Sequence, residues 1–151
     1  MRALGVDLGT RRVGLATSDP GGRLASPYAV VEVTRDRAEM RRRLAAIVAD
    51  EEIEVVVVGL PLSLDGSHGP AARAAEREAA ALAREVPVPV VLHDERLTTV
   101  TAHRLLAEQG IDGRARRRVV DRAAAAVLLQ AWLDGGAPTT LTVGPGPHEG
   151  T

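Results

Sequence analysis

Leu4-Gly5-Val6-Asp7-Leu8-Gly9-Thr10-Arg11-Arg12-Val13-Gly14-Leu15-Ala16-Thr17-Ser18 opens the chain with two alternating apolar runs joined by a Gly-bearing turn. Period-two alternation marks strands with one face in a core, and the short turn makes them an antiparallel hairpin. Asp19-Pro20-Gly21-Gly22 is a second turn signal, and a third run follows around Leu24 to Val33. Three strands in meander order therefore come first.

From about Arg37 the period changes, and Met40, Leu44, Ile47 and Val48 form one helical face. Val55-Val56-Val57-Val58-Gly59 is apolar without alternation, as in a parallel strand buried on both faces. Leu60 to Pro70 is a long loop punctuated by Gly and Pro, and Gly69-Pro70 opens an Ala-rich helix with Ala72, Ala75, Ala79, Leu82 and Val86 inward. Another strand is expected over Val88 to Leu92. Thr98 or Thr99 caps a further helix carrying Ala102, Leu105 and Leu106, with Gly110 as its stop. After a basic loop, the last helix is expected from about Val119 to Asp134. Gly135, Gly136, Gly144, Gly146, Gly150 and three prolines make 135–151 read as a mostly disordered tail. The expectation is an α/β domain over 1–134. Its mixed five-stranded sheet starts as an antiparallel meander and continues through helical crossovers into parallel strands, with helices on both faces.

At 151 residues and 45% hydrophobic composition, one domain with a real core fits and a second does not. There is no Cys, which excludes disulfides, a thiolate nucleophile and Cys-ligated zinc. No basic segment followed by an apolar run opens the chain, and no run reaches membrane-spanning length. A cytoplasmic protein is expected, with no membrane partner. All 19 basic residues are Arg, which fits a GC-rich codon bias as well as phosphate binding, and the net charge is -1. Tyr28 and Trp132 are the only aromatics, so a nucleic-acid ligand would be gripped by its backbone rather than by stacking on rings.

Asp7 ends the first strand and Glu95 stands just past the end of the last one. In such a sheet both lie at the carboxyl edge, where open α/β folds bind ligands. Asp121 precedes Ala124, Ala125, Leu128 and Trp132 by three, four, seven and eleven residues, so it shares their inward helical stripe. An inward carboxylate is costly unless a cation or several hydrogen bonds compensate it. Three converging carboxylates form a hard, all-oxygen site suited to Mg²⁺ or Mn²⁺, and two such ions can activate a water and stabilise the leaving oxygen of phosphodiester cleavage. Each acid also has an ordinary reading: a turn for Asp7, a surface ion-pair cluster for Asp94-Glu95-Arg96, and a helix-dipole or Arg partner for Asp121. Their conjunction is what points to a metal centre.

Gly5-x-Asp7-x-Gly9-x-x-Arg12-x-Gly14-x-Ala16-x-Ser18-Asp19 is followed by Gly59-Leu60-Pro61 and by Asp65-Gly66-Ser67-x-Gly69-Pro70. Asp94-Glu95-Arg96-Leu97-Thr98-Thr99 and Asp121-x-x-Ala124-Ala125-x-x-Leu128-Leu129-Gln130 complete the set. In this order they resemble the YqgF/RuvX family over nearly everything from Met1 to Asp134. The resemblance implies an RNase H-like three-layer fold shared with RuvC resolvases, and metal-ligand and catalytic roles for Asp7, Glu95 and Asp121. It implies a metal-dependent nuclease that processes the 5′ end of pre-16S ribosomal RNA, with Holliday junction resolution as the alternative. RuvC-type sites carry two acids three apart on the last helix. Here Arg118 and Ala124 flank Asp121 at that spacing, which favours RNA.

Nucleic-acid contacts are expected from Arg12 and Arg96 at the same edge, from Gly66 and Ser67 in the loop, and from Thr98 and Thr99. Arg114, Arg116, Arg117 and Arg118, in the basic stretch before Asp121, join them. The expected partner is single-stranded or structured RNA, or branched DNA, met by a monomer or weak homodimer. Two other readings compete. An ATPase of the actin or sugar-kinase type also opens with a motif like Asp7-Leu8-Gly9-Thr10, but closes two such domains around nucleotide. A non-catalytic RNA- or junction-binding factor would gain nothing from three acids facing phosphates.

Overall fold

The computed structural model describes residues 1–96, 113–135 and 141–143, the side chains of 113–122 and 141–143 excepted. The chain runs β1 (Ala3–Leu8), β2 (Arg12–Ser18), β3 (Ala25–Glu32), α1 (Arg37–Asp50), β4 (Val55–Leu60), α2 (Pro70–Ala83), β5 (Val90–Asp94), α3 (Gly113–Gly135) and β6 (Leu141–Val143). They form one sheet in the order β3-β2-β1-β4-β5-β6. The first three strands pair antiparallel, while β1–β4 and β4–β5 pair parallel, as the pattern of crossovers predicts. Among the described residues no helix is long and apolar enough to cross a membrane.

Two cores flank the sheet, and strand alternation decides which residue enters which. Leu4, Val6, Val13, Leu15, Val56, Val58, Val90 and Leu92 pack with Met40, Leu44 and Val48 of α1 and Ala72, Ala75, Ala79 and Leu82 of α2. Ala3, Ala16, Val55, Val57 and Val91 pack with Ala125, Ala126, Leu129 and Trp132 of α3 on the other face. Asp36 caps α1, its Oδ1 accepting from the Glu39 amide at 3.2 Å. Pro70 occupies the first turn of α2, where a missing N–H costs nothing.

Three expectations change. The stretch read as a tail contributes β6, antiparallel to β5 on the far edge, so a sixth strand joins the five. Leu141-Thr142-Val143 carries strand propensity, but the surrounding Gly and Pro dominate its composition. The basic stretch before Asp121 is helical, because α3 starts at Gly113 rather than near Val119. Arg is among the better helix formers, and a run of like charge does not outweigh that. Finally, β5 begins at Val90 and reaches Asp94. Pro87 and Pro89 lack the amide a ladder needs, so pairing starts after them. The helix expected after Thr98 lies outside the described residues.

The seat of α3 is set by Gly5. A Cβ there would lie 2.9 Å from Leu129 Cβ and 3.0 Å from the Ala125 carbonyl oxygen, so helix and strand meet backbone to backbone. Gln130 holds the next turn: its Oε1 accepts from the Ala25 amide and its Nε2 donates to the Arg23 carbonyl, both at 2.9 Å. Gly5→Ala is expected to lift α3 and cost about 1–3 kcal/mol by overpacking. Urea unfolding measures this, and a wild-type midpoint would contradict the close approach.

Candidate active site

Asp7 lies in β1 on the α3 face, since Ala3 packs against α3 while Leu4, Val6 and Leu8 turn toward α1 and α2. Val6 stands beside Val58, so the register carries Asp7 next to Gly59. On the other side of β4, Gly59 pairs with His93 and Leu60 with Asp94. The Glu95 amide then donates to the Leu60 carbonyl at 3.1 Å. Asp7 and Glu95 are thus separated by one strand, β4, and at the crossing that strand has no side chain. Glu95 fills the gap. A Cβ on Gly59 would fall 2.0 Å from Glu95 Oε1 and 2.6 Å from its Cδ.

In this half-enclosed position across the gap from Asp7, the Glu95 pKa is raised to about 8. Burial is the largest cause, followed by the Asp7 charge, the Asp7 hydrogen bond and the Asp94 charge. Two acids drawn together in this way mark a place that a divalent cation can take.

Asp94 is directed elsewhere. Arg96 grips it through Nε at 3.1 Å and 2.9 Å and through Nη2 at 2.7 Å, and the Arg96 amide adds a bond of 2.9 Å. That guanidinium holds the Asp94 carboxyl below the usual carboxylate range. The ion-pair reading of this motif is right for Asp94 and Arg96, and it leaves Glu95 to Asp7. Arg96 Nη1 also reaches the Leu64 carbonyl at 3.4 Å and docks the β4–α2 loop at the strand end. In that loop Asp65 Oδ1 accepts from the Ser67 amide at 2.9 Å, and Gly66 takes the left-handed φ of 86° that favours glycine. Gly66 and Ser67 therefore sit in a turn held beside Arg96.

Arg12 opens β2 and is exposed, with its carbonyl accepting from Gly9 at 2.9 Å in the turn that follows Asp7. Asp121 is placed by its helix backbone. Leu129 lies over Gly5, and Ala125 lies 3.6 Å from a Cβ on Gly14, the residue paired with Asp7. Going back along α3 therefore approaches the carboxyl edge, and Asp121 is one turn, about 6 Å, beyond Ala125 in that direction. Arg114, Arg116, Arg117 and Arg118 occupy the helix turns before it. Thr98 and Thr99 fall outside the described residues. Among the described side chains no group of three His, Asp or Glu is gathered that could hold a metal; Asp7 and Glu95 form a pair. His93 stands beside Gly59, its pKa lowered by burial and its Nδ1 without a partner among the described residues.

Gly59, read from the sequence only as part of a motif with no role of its own, is the position that makes room for Glu95. A glycine ending an all-valine buried strand is its signal, because a strand interior loses stability there unless something must come close.

Glu95 also makes the protein's stability depend on pH. Free of metal, the folded chain keeps its proton up to about pH 8, whereas the unfolded chain releases it near 4.5. The native state holds the extra proton across that window, so stability falls as pH rises through it. Glu95→Gln is expected to raise Tm above pH 8 by about 5–10 °C and to leave it nearly unchanged below pH 4.5. Calorimetry in chelator tests this, and an equal difference at both ends would remove Glu95 as the proton holder.

Residues 1–135 match the family model described as RuvX, Holliday junction resolvase. A Rhodococcus opacus (strain B4) protein named "Putative pre-16S rRNA nuclease" is 49% identical over 137 residues, covering 88% of this chain and 77% of its own. A Geobacillus kaustophilus (strain HTA426) protein of the same name is 43% identical over 135 residues, covering 89% and 98%. Among solved structures, Thermus thermophilus RuvC in complex with a Holliday junction substrate superposes with a TM-score of 0.60. At 18% identity over 95% of this chain and 99% of that one, it shows a shared fold. Nucleases of this fold generally depend on divalent metal ions. With the sheet order and the match over residues 1–135 in agreement, the chain belongs to the RuvX family of nucleases.

Proposed function

We propose that Asp7, Glu95 and Asp121 hold divalent cations, Mg²⁺ or Mn²⁺ and two in number, and that the site hydrolyses phosphodiester bonds in RNA, with the 5′ end of pre-16S ribosomal RNA as its target. The observation that carries this reading is the Glu95 carboxyl laid over Gly59 beside Asp7, two acids brought together at a sheet edge in an all-oxygen setting. When bound, the cations supply positive charge to a phosphodiester and acidify a water.

The chain's own residues do the rest. Asp7 faces both the Glu95 side and the α3 side of the edge, which suits it to bridge, while Glu95 and Asp121 each complete one side. Arg12, at the turn after Asp7, and Arg114, Arg116, Arg117 and Arg118, on the first turns of α3, bind phosphates flanking the scissile bond. The turn of Gly66 and Ser67, held beside Arg96, and the hydroxyls of Thr98 and Thr99 add further phosphate contacts. Arg96, engaged with Asp94, positions the loop as well as lending charge.

Holliday junction resolution is the second reading, favoured by the resemblance in fold to RuvC. Against it, Arg118 and Ala124 stand where a second helical acid would be. The deciding experiment offers the pure protein labelled single-stranded RNA, a pre-16S 5′ segment and a four-way DNA junction, each with Mg²⁺, with Mn²⁺ and with chelator. Cleavage of RNA that chelator abolishes is the expected result. Cleavage of the junction alone moves the substrate to DNA, and cleavage of nothing rejects the nuclease assignment of these acids.

A further inference from the structure

β3 is the exposed edge of the sheet, opposite β6. The Val33 amide donates to the Arg11 carbonyl, and Val31 pairs with Val13, so Ala29, Val31 and Val33 bond inward to β2. Val30 and Glu32 must then turn their N–H and C=O groups outward, while a bulge at Tyr28 interrupts the alternation. The same edge is apolar: Val30 is 58% exposed and Tyr28 41%. Below it a groove of about 630 Å³ is lined by Ala29, Val31, Glu32, Arg43, Ala46 and Ile47. A long apolar edge strand with open hydrogen-bonding groups is ordinarily paired or blunted.

The charges of α1 indicate what pairs with it. Tyr28 Oη donates to Glu51 Oε1 at 3.1 Å, fixing the end of α1 beside Tyr28, while Arg43 lines the groove with Glu32. The helix therefore runs antiparallel to β3. Its first half carries Arg37, Arg41, Arg42 and Arg43 beside Asp36 and Glu39, and its end carries Asp50, Glu51 and Glu52 with no basic residue in the last turn. Arg41 pairs with Glu78, Arg42 with Asp36 and Glu51 with Arg2, which leaves Arg43 and Asp50 on the groove side. The acidic end is the reverse of what the helix dipole favours. Arg43, Ala46, Ile47 and Asp50 share one stripe along the groove.

We propose that β3 pairs antiparallel with β3 of a second copy about a two-fold axis at Val30, making a homodimer with a continuous sheet. Val30 then faces the partner's Val30, so its outward amide and carbonyl are matched by their own copies, and the bulged Tyr28 lies beside the partner's Glu32. Pro27, which has no N–H, ends the ladder. The same axis lays the two α1 helices side by side in opposite directions, with the apolar Ala46 and Ile47 between them. Arg43 of each meets the partner's Asp50. A foreign strand would satisfy the backbone groups, but only a second copy is complementary to both the register and the reversed helix charges.

Sedimentation velocity of the full chain over micromolar to submillimolar concentrations, at low and high salt, tests the proposal. A dimer that weakens with salt is expected. Val30→Lys, at an exposed position, gives a folded monomer with wild-type circular dichroism. Arg43→Asp weakens association about tenfold or more, and the charge swap Arg43→Asp with Asp50→Arg restores it. A monomer at all concentrations in low salt, or a dimer indifferent to Val30→Lys, overturns the interface. A dimer that Val30→Lys breaks but Arg43→Asp leaves intact overturns the antiparallel helix pairing.

Discussion

Asp7→Asn is expected to lower the rate of RNA cleavage by about 10³-fold or more in saturating metal, because it removes the carboxylate on which both sides of the proposed centre depend. The fold should persist, since Asp7 is only partly buried at a strand end and Asn fits its space. Losing the Asp7 charge also removes one cause of the raised Glu95 pKa, so Glu95 should ionise at lower pH in the variant. Two measurements follow the same substitution: gel-based cleavage rates, and NMR titration of the Glu95 carboxyl in chelator. Activity within tenfold of wild type would remove Asp7 from the metal centre. An unmoved Glu95 titration would mean the two acids are not in contact in solution.

Gly59→Ala separates activity from stability more sharply. The new methyl needs the space of the Glu95 carboxyl, at 2.0 Å from Oε1, 2.6 Å from Cδ and 2.9 Å from Cγ. Those atoms belong to a flexible side chain, so Glu95 can swing away and the strand backbone need not move. Stability should change by no more than about 1 kcal/mol, with the loss of the acid pair partly offsetting the strain. Cleavage should fall about 10²-fold or more, because a displaced ligand costs most of the electrostatic stabilisation it supplied. Cleavage rates beside urea midpoints decide the matter, and a variant that cleaves at the wild-type rate would show that Glu95 need not lie over Gly59.

The hairpin, the helix face of Met40 and Leu44, and the buried strand of valines were legible because periodicity reports which residues meet a core. Asp7 and Glu95 could be paired in advance because parallel crossovers bring strand ends to one edge. What pattern does not carry is side-chain partnership. Asp94 and Glu95 are adjacent acids, and only the bonds from Arg96 to Asp94 show which one the edge uses. Arg96, read as a phosphate contact, carries that pair and the loop. The roles of Gly59 and Gly5 were hidden because both depend on what packs against them from a distant part of the chain. The run of arginines before Asp121 reads as a loop from its place between the Gly110 stop and the apolar stripe, yet it belongs to α3.

Asp7 lies within β1, paired with Gly14, and Glu95, one residue past β5, is tied to β4 by its amide bond to the Leu60 carbonyl. Their backbones can separate no further than two strand spacings allow, about 10 Å, and cannot drift without breaking central pairing. The sheet thus acts as a gauge for the gap between the acids. Hydrogen exchange at Val57, Val58 and Leu92 should therefore slow to the global unfolding limit, and heating should remove catalytic geometry and native structure in one transition.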